Sequence, residues 1–191
     1  GQGFETVMAQ VCAEALGVDY KRVRVTHGQT DRIAFGIGAH ASRATVMTAS
    51  ATHNGALKLR AKAIEVAASL MQAPPDALDI VDGKVVRKDR PGGASMTLGE
   101  IARHLEPTSK TLGDREPGLS VEGWFRVKHQ VYPYGLHFAV VKVDRETGGV
   151  EVERYAIAYD IGRAINPALV RGQIVGGFAQ GLGGALLEEF T

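Results

Sequence analysis

Cysteine and tryptophan are nearly absent from this sequence, which has one residue of each among its 191. A lone thiol, Cys12, supports neither a disulfide framework nor an iron–sulfur cluster, because both need several cysteines. Cys12 lies within a helical pattern of apolar residues, so we interpret it as a buried structural thiol. The low cysteine content favours a reducing compartment, so we expect a cytoplasmic location, and a periplasmic one stays open.

Strong net charge and long hydrophobic runs are also absent. The formal net charge is +1 and no basic stripe stands out, so the sequence gives no reason to expect nucleic-acid binding. No apolar run reaches the roughly 18 residues that a membrane span needs. With 45% hydrophobic and 23% charged residues, the composition is that of an ordinary globular chain, long enough to bury a core.

A cluster of metal-binding residues is missing as well. The six histidines are scattered, and none makes a convincing metal cluster with cysteines or carboxylates. His40 and His137 adjoin polar loops, where we interpret each as a hydrogen-bonded polar side chain. The sequence therefore predicts no protein ligand to a metal.

The chain has neither an initiator methionine nor a signal peptide at Gly1. It stops within an apolar run, at the letters LLEEFT, with no helix stop signal. We interpret both ends as cuts through a longer polypeptide. Leu186 and Leu187 are then expected to face missing sequence, which leaves apolar surface through which the chain could self-associate into a homo-oligomer.

Glycine, by contrast, is abundant, and its most informative cluster lies in a predicted helix that follows the breaker pair Asn166-Pro167. Gly177, Gly181 and Ala185 are four apart, so one face carries almost no side chain. Each glycine inside a helix costs roughly 1 kcal/mol relative to alanine, so this face is expected to approach something closely. Either a flat polar cofactor lies on it and hydrogen-bonds to Gln180, or the face packs tightly against another helix or a sheet.

Hydrophobic periodicity and turn signals predict an α+β chain. The predicted helices cover about residues 5–16, 42–72, 97–105 and 168 onward; the predicted strands cover about 21–26, 78–86 (a hairpin that turns at Asp82-Gly83), 120–130, 136–143 and 150–159. The strand at 136–143 is mostly apolar, so we expect it to be central in its sheet. We predict two lobes, about 1–73 and about 119–191, and interpret residues 74–118 as an inserted excursion with little chemistry.

Two polar loops stand at predicted helix starts. Gly1-Gln2-Gly3 precedes the first helix, where free N–H groups and the helix dipole favour anions or carbonyl-rich ligands. Ser42 is the expected N-cap of the long helix, where Arg43 and Thr45 could hold a phosphate or another polar group. The alternatives are a flexible glycine start and a capped helix with a solvated arginine.

Four blocks of the sequence carry recognisable motifs: Gly1–Thr6, His27–Asp31, Gly38–Thr45 and Asp160–Gly181. In that order they look like a GQG-x-x-T segment, an HGDTD loop, a G-x-x-G-S-R-S-T segment and a late glycine-rich signature. Together they resemble the molybdenum hydroxylases, the family of xanthine dehydrogenase, aldehyde oxidase and the carbon monoxide dehydrogenase large subunit. Three departures occur, since Gln29 stands for an aspartate, Ala41 for a glycine and Ala44 for a serine.

The resemblance implies a two-lobed molybdopterin-binding domain with antiparallel or mixed sheets and helices packed on them. It implies molybdopterin, often carried as its cytosine dinucleotide in bacterial members, with molybdenum held by the pterin dithiolene and not by protein side chains. By position, the residues implied to contact the cofactor are Gln2, Gly3, Ala41, Ser42, Arg43, Thr45, Gln180 and Gly181. The three regions that carry them are expected to converge.

The resemblance also implies a reaction, the hydroxylation of an aldehyde or an N-heterocycle carbon with oxygen from water. The family's glutamate base, in a G-E-G-like segment, has no match in these residues. No catalytic side chain is therefore assigned, and the chain alone is expected to hold no molybdenum and to be inactive. The implied partners are the remainder of the large subunit, iron–sulfur and flavin subunits or domains, and a small-molecule substrate.

An alternative from another class stays open. The chain would then be a non-redox structural or interaction domain with the same fold. In that case Ala41 and Ala44 would mark a cofactor site that has decayed.

Overall fold

In the computed structural model, which describes residues 2–33, 35–189 and 191, the chain divides into two units. Unit 1 contains the described residues of Gly1–Ala39 and Arg43–Lys128, and unit 2 contains those of His40–Ser42 and His129–Thr191. Gly1, the first residue of the predicted glycine loop, lies outside the described residues. Helices and antiparallel sheets occur together, so the predicted α+β class is confirmed.

Unit 1 is built from helices on a three-stranded antiparallel sheet with strand order β1-β2-β3. In chain order its elements are α1 (Phe4–Leu16), a 3₁₀ turn (Tyr20–Arg22), a π-helical turn (Ala44–Ala49), α2 (Ser50–Met71), a 3₁₀ turn (Pro75–Ala77), β1 (Leu78–Val81), β2 (Lys84–Arg87), β3 (Ser95–Thr97) and α3 (Leu98–His104). The core combines small side chains of α2 with larger ones from the sheet and α3. Ala63, Ala67, Val85, Ile101 and Leu105 have no exposed surface.

Local signals fixed several boundaries of unit 1 where the sequence predicted them. Helix α1 ends at Gly17, whose φ of 84° is the left-handed conformation that glycine adopts without strain. The hairpin of β1 and β2 turns at Asp82 and Gly83, both at positive φ. Helix α3 begins with a capping box, in which the Thr97 hydroxyl accepts the Glu100 N–H and the Glu100 carboxylate accepts the Thr97 N–H.

The strands predicted at 21–26 and 120–130 are wrong. Residues Tyr20–Arg22 form a 3₁₀ turn, and neither segment has a partner strand among the described residues. Helix α2 holds the second segment through side chains: Asn54 donates to the Trp124 carbonyl and Lys58 to the Glu122 carbonyl, each at 3.4 Å. This segment is thus held by side-chain hydrogen bonds from α2 and not by backbone hydrogen bonds to a neighbouring strand.

The predicted N-cap role of Ser42 is also wrong. Ser42 has a φ of 56°, outside the β-region backbone typical of an N-cap residue. The N-cap position belongs to Arg43, which makes no side-chain cap hydrogen bond, and the first turns, Ala44–Ala49, are π-helical before α2 proper begins at Ser50. Short π-helical turns are often found at functional sites.

Unit 2 consists of a two-stranded antiparallel sheet, β4 (Tyr134–Val143) and β5 (Val150–Asp160), followed by α4 (Pro167–Leu186). Asn166 caps α4 by accepting the Leu169 N–H at 3.1 Å, which confirms the predicted start of this helix. The expectation that residues 136–143 form a central strand is wrong, because β5 is the only partner of β4 among the described residues and every residue of β4 is exposed. None of the described helices is long and apolar enough to cross a membrane.

Candidate functional site

Helix α4 has two unlike faces. Four apolar residues spaced four apart are partly buried: Val170, Ile174, Phe178 and Leu182. About 100° around the helix lies the glycine face, which we define as Gly177, Gln180, Gly181 and Gly184. A β-carbon added at Gly177 or Gly181 would meet no atom of the described residues within 4 Å, apart from the local helix backbone. The described residues therefore do not supply the tight packing that was one of the two interpretations of this face.

Beside this open backbone, the side chain of Gln180 is exposed. A primary amide offers two N–H donors and one carbonyl acceptor. Glycine lets a ligand approach the backbone closely. The glycine face is therefore suited to a flat polar ligand that carries both donors and acceptors.

The sheet of unit 2 carries an aromatic cluster next to α4. The Nδ1 of His137 lies 3.0 Å from the Tyr155 hydroxyl and its Nε2 lies 3.1 Å from the Tyr159 hydroxyl. The Tyr155 ring in turn contacts Phe178 of α4, with ring centroids 4.3 Å apart. The sequence prediction of His137 as a hydrogen-bonded polar group is thus confirmed, but the two tyrosines and Phe178 were missed. Their signal was the spacing of four between the tyrosines, which places both on one face of a strand.

In unit 1, the structure joins the first two motif blocks. Gly3 is the N-cap residue of α1, with a φ of 67°. His27, the first residue of the loop 27–31, contacts the first turn of this helix: its Nε2 lies 3.0 Å from a carboxylate oxygen of Glu5, and its ring lies edge-on to Phe4 at 5.2 Å. Gln2 precedes this junction and is exposed. Gln2 and Gly3 therefore lie at a helix N-terminus, next to a second polar loop.

The loop 38–45 is held by Arg43, whose Nη1 donates to the Gly38 carbonyl at 3.1 Å. Ala41 and Ser42 are both left-handed, with φ of 51° and 56°. This conformation costs a non-glycine residue roughly 1–2 kcal/mol, and such strain is often found at functional sites. Ala41 stands where the resembling family has glycine. The strain at this position therefore comes from the β-carbon of alanine, which glycine lacks.

We predict that Ala41→Gly raises the free energy of unfolding by about 0.5–1 kcal/mol, because glycine adopts positive φ without a clash but loses more chain entropy on folding. Urea unfolding of the full-length protein measures this change. The control is Ala179→Gly, at an exposed position inside α4, where we expect a loss of about 1 kcal/mol. If Ala41→Gly destabilises the protein, the backbone at this loop is not strained as described.

A pocket of about 300 Å³ lies elsewhere in unit 1 and includes none of the predicted site residues. Its walls come from α1, the β1–β2 turn and the start of α3, and they include Cys12, Leu16 and Leu98. Burial raises the pKa of the Cys12 thiol, which keeps it protonated and poorly reactive. This agrees with a structural role for Cys12. Among the described residues, no group of three or more histidine, cysteine or acidic side chains is placed to hold a metal ion.

The predicted site residues are distributed over both units. Gln2, Gly3, Arg43 and Thr45 belong to unit 1, and Ala41, Ser42, Gln180 and Gly181 belong to unit 2. Thr45 is the second residue of the π-helical turn and is exposed. The convergence of the three regions on one ligand involves both units and stays a prediction.

Comparison with known proteins gives one family model that matches residues 1–191, described as a molybdopterin cofactor-binding domain. The chain is 37% identical over 192 residues to the 6-hydroxypseudooxynicotine dehydrogenase complex subunit gamma of Paenarthrobacter nicotinovorans, covering 100% of this chain and 24% of that protein. It is 33% identical over 193 residues to the carbon monoxide dehydrogenase large chain of Hydrogenophaga pseudoflava, covering 99% and 23%.

A solved structure gives the same result for the fold. Quinoline 2-oxidoreductase from Pseudomonas putida 86 superposes with a TM-score of 0.79 at 30% sequence identity, covering 100% of this chain and 24% of that one. The chain therefore spans about a quarter of the length of the proteins that it matches.

Proposed function

Since the chain belongs to the molybdopterin cofactor-binding domain family of molybdenum hydroxylase-like oxidoreductases, we propose that it binds the cofactor through Gln2, Gly3, Ala41–Arg43, Thr45 and Gln180-Gly181. The cofactor supplies the redox chemistry when bound, while the protein supplies binding, orientation and electrostatics. The residues of this chain hold and orient the group, and none of them is assigned as an acid or a base.

The glycine face of α4 is the observation that carries this proposal. A surface-exposed helix gains nothing from repeated glycines, each of which costs roughly 1 kcal/mol relative to alanine. Because the described residues leave the space above Gly177 and Gly181 open, the glycines fit a ligand that lies against the backbone. Gln180 then donates to and accepts from polar edges such as those of a pterin. The residues present thus fit the group.

Arg43 supports a second contact, at the phosphate end of the ligand. One of its nitrogens is used by the Gly38 carbonyl, while its charge pairs with no carboxylate in the described part of the chain. A guanidinium has five N–H donors, so several stay available for an anion. We propose that Arg43, with the adjoining Ser42, binds a phosphate oxygen of the cofactor. A cytosine dinucleotide form would extend beyond this phosphate, and nucleotide release on acid treatment of the full-length protein tests for it.

We predict that Gln180→Ala lowers the cofactor content of the full-length protein several-fold. The lost amide leaves polar edges of the ligand unpaired, at a cost of about 1–3 kcal/mol. Pterin and molybdenum per protein, measured after dialysis, report this loss. The matched control is Gln130→Ala, an exposed glutamine in the same unit, which should keep the wild-type content. Equal contents in both variants would remove Gln180 from the site.

For the whole protein, we propose hydroxylation of an N-heterocycle carbon, or alternatively of an aldehyde, with oxygen from water. The names of two relatives, the 6-hydroxypseudooxynicotine dehydrogenase subunit and quinoline 2-oxidoreductase, refer to nitrogen heterocycles, which favours that class. Turnover of N-heterocycles and aldehydes by the full-length protein, with an artificial electron acceptor and ¹⁸O-labelled water, tests this. Label in a heterocyclic product supports the N-heterocycle class, and turnover of aldehydes alone supports the aldehyde alternative. No turnover of either class by cofactor-loaded protein contradicts the proposal.

We also propose that the protein works with iron–sulfur and flavin subunits or domains, besides the remainder of a large subunit. One relative is by name the subunit of a complex, and the matched proteins extend to about four times the length covered here. Iron, sulfide and flavin that copurify with the full-length protein would support these partners. A cofactor-free protein that still forms a stable complex would favour the alternative, an interaction domain with a decayed site.

A further inference from the structure

The aromatic cluster of unit 2 holds one histidine from both sides. A neutral imidazole donates from one ring nitrogen and accepts at the other, so one tyrosine accepts a hydrogen bond from His137 and the other donates one. Both tyrosine rings also meet the imidazole edge-on, with centroids 5.8 Å (Tyr155) and 5.5 Å (Tyr159) away. Each ring nitrogen and each ring edge therefore has a specific partner, and the imidazole is fixed in direction.

Gly135 adds to this arrangement from the neighbouring position on the same face of β4. It pairs with Tyr159 across the strands, and a β-carbon on it would lie 2.5 Å from atoms of the Tyr159 ring. The Tyr159 ring thus occupies the space where a side chain at position 135 would stand. The absence of that side chain lets the Tyr159 ring lie over Gly135 and next to His137.

Tyr155 connects the cluster to α4. The Tyr155 ring meets Phe178 at a centroid distance of 4.3 Å and an interplanar angle of 47°. None of the described residues of α4 is fully buried, and Phe178 is one of its partly buried residues. Phe178 and Gln180 are two residues apart, about 200° around the helix. If α4 rotated about its axis because Phe178 moved, Gln180 on the opposite side of the helix would rotate by the same angle.

We propose that His137 is a positioning residue for the cofactor-binding side of α4: by fixing Tyr155 it fixes Phe178, and by fixing Phe178 it sets the direction of Gln180. This inference rests on the proposed function of Gln180. His137 itself touches no ligand in this account. Because the cluster already orders the helix in the unbound protein, binding of the ligand costs less conformational entropy.

The test is a double-mutant cycle in the full-length protein, produced in a host that makes the cofactor. His137→Phe keeps an aromatic ring but loses both hydrogen bonds, and Gln180→Ala removes the proposed contact. We expect His137→Phe to lower cofactor content about fivefold to tenfold in the wild-type background, and to have almost no further effect beside Gln180→Ala, because coupled residues are not additive. His129→Phe, the same change at an exposed histidine of unit 2, should leave the content unchanged.

Hydrogen exchange of residues 172–186, measured on protein from a host that lacks the cofactor, gives a readout independent of loading. We expect faster exchange in His137→Phe and wild-type exchange in His129→Phe. Tyr155→Phe, which keeps the ring on Phe178 and loses only one hydrogen bond, should show a smaller change in the same direction, and it replaces His137→Phe if that variant does not fold.

The outcomes separate the two proposals. Unchanged exchange and cofactor content in His137→Phe would overturn the positioning role, as would a loss of content of equal size with and without Gln180→Ala. If Gln180→Ala alone has no effect on content, the proposed contact of Gln180 fails. Faster exchange in His137→Phe would then still show that His137 orders α4, but this ordering would not be connected to cofactor binding.

Discussion

Replacing Gly181 with leucine in the full-length protein is expected to abolish cofactor loading while the fold persists. Apart from the local helix backbone, a β-carbon at this position meets no described atom within 4 Å, so the described residues leave room for the first atom of a leucine side chain. The helix should even gain close to 1 kcal/mol in intrinsic propensity. The leucine side chain instead fills the space that we assign to the ligand. Steric exclusion is therefore expected to affect cofactor binding and not folding. Molybdenum and pterin contents, together with circular dichroism and the unfolding midpoint, measure the two effects separately.

Gly172→Leu is the matched control for this variant. Gly172 lies nine residues before Gly181 in α4, which places it about 180° away on the opposite side of the helix. It also has open space for a side chain within the described residues. We expect normal cofactor content in this control. Normal content in Gly181→Leu as well would show that the glycine face lies against protein and not against a ligand.

The second large effect is expected at Gly17, where Gly17→Ala should destabilise unit 1 by about 2–4 kcal/mol. Two costs combine there. The φ of 84° strains any residue with a β-carbon. In addition, that atom would lie at an impossible distance from the Ile80 carbonyl oxygen, so β1 would have to move away from the end of α1. Hydrogen exchange of the buried amides of α1 in the full-length protein measures the loss.

Gly92→Ala separates the two costs. Gly92 has a similar φ of 80°, but a β-carbon on it would meet no described atom within 4 Å. We expect Gly92→Ala to lower the free energy of unfolding by about 1 kcal/mol, from the backbone strain alone. Equal losses in the two variants would mean that the backbone contact between Gly17 and Ile80 contributes nothing.

The parts of the fold that the sequence predicted correctly are those set by neighbouring residues. Gly17 ends α1, Asp82-Gly83 turns the hairpin, and Thr97 with Glu100 starts α3, because each signal acts within a few residues. The apolar pattern of residues 21–26 and 120–130 gave no information about whether a neighbouring strand was there to pair with them. The second segment is held instead by donors of α2 that lie about 70 residues earlier.

The candidate site was predictable to a similar degree. The bare face of α4 followed from the spacing of its glycines, and the structure adds that the space above it is open among the described residues. The left-handed backbone at Ala41 and Ser42 could not be predicted, because neither residue type favours it. The contact of Tyr155 with Phe178 depends on how the helix returns to the sheet, which no local pattern encodes.

We propose above all that this domain holds molybdopterin. Its most direct test is the molybdenum and pterin content of the full-length protein, purified from its own host under conditions that keep tight ligands bound. We expect close to one molybdenum and one pterin per chain, lost together in Gly181→Leu and retained in Gly172→Leu. Full-length protein that is folded but contains neither molybdenum nor pterin would contradict it and would favour an interaction domain with a decayed site.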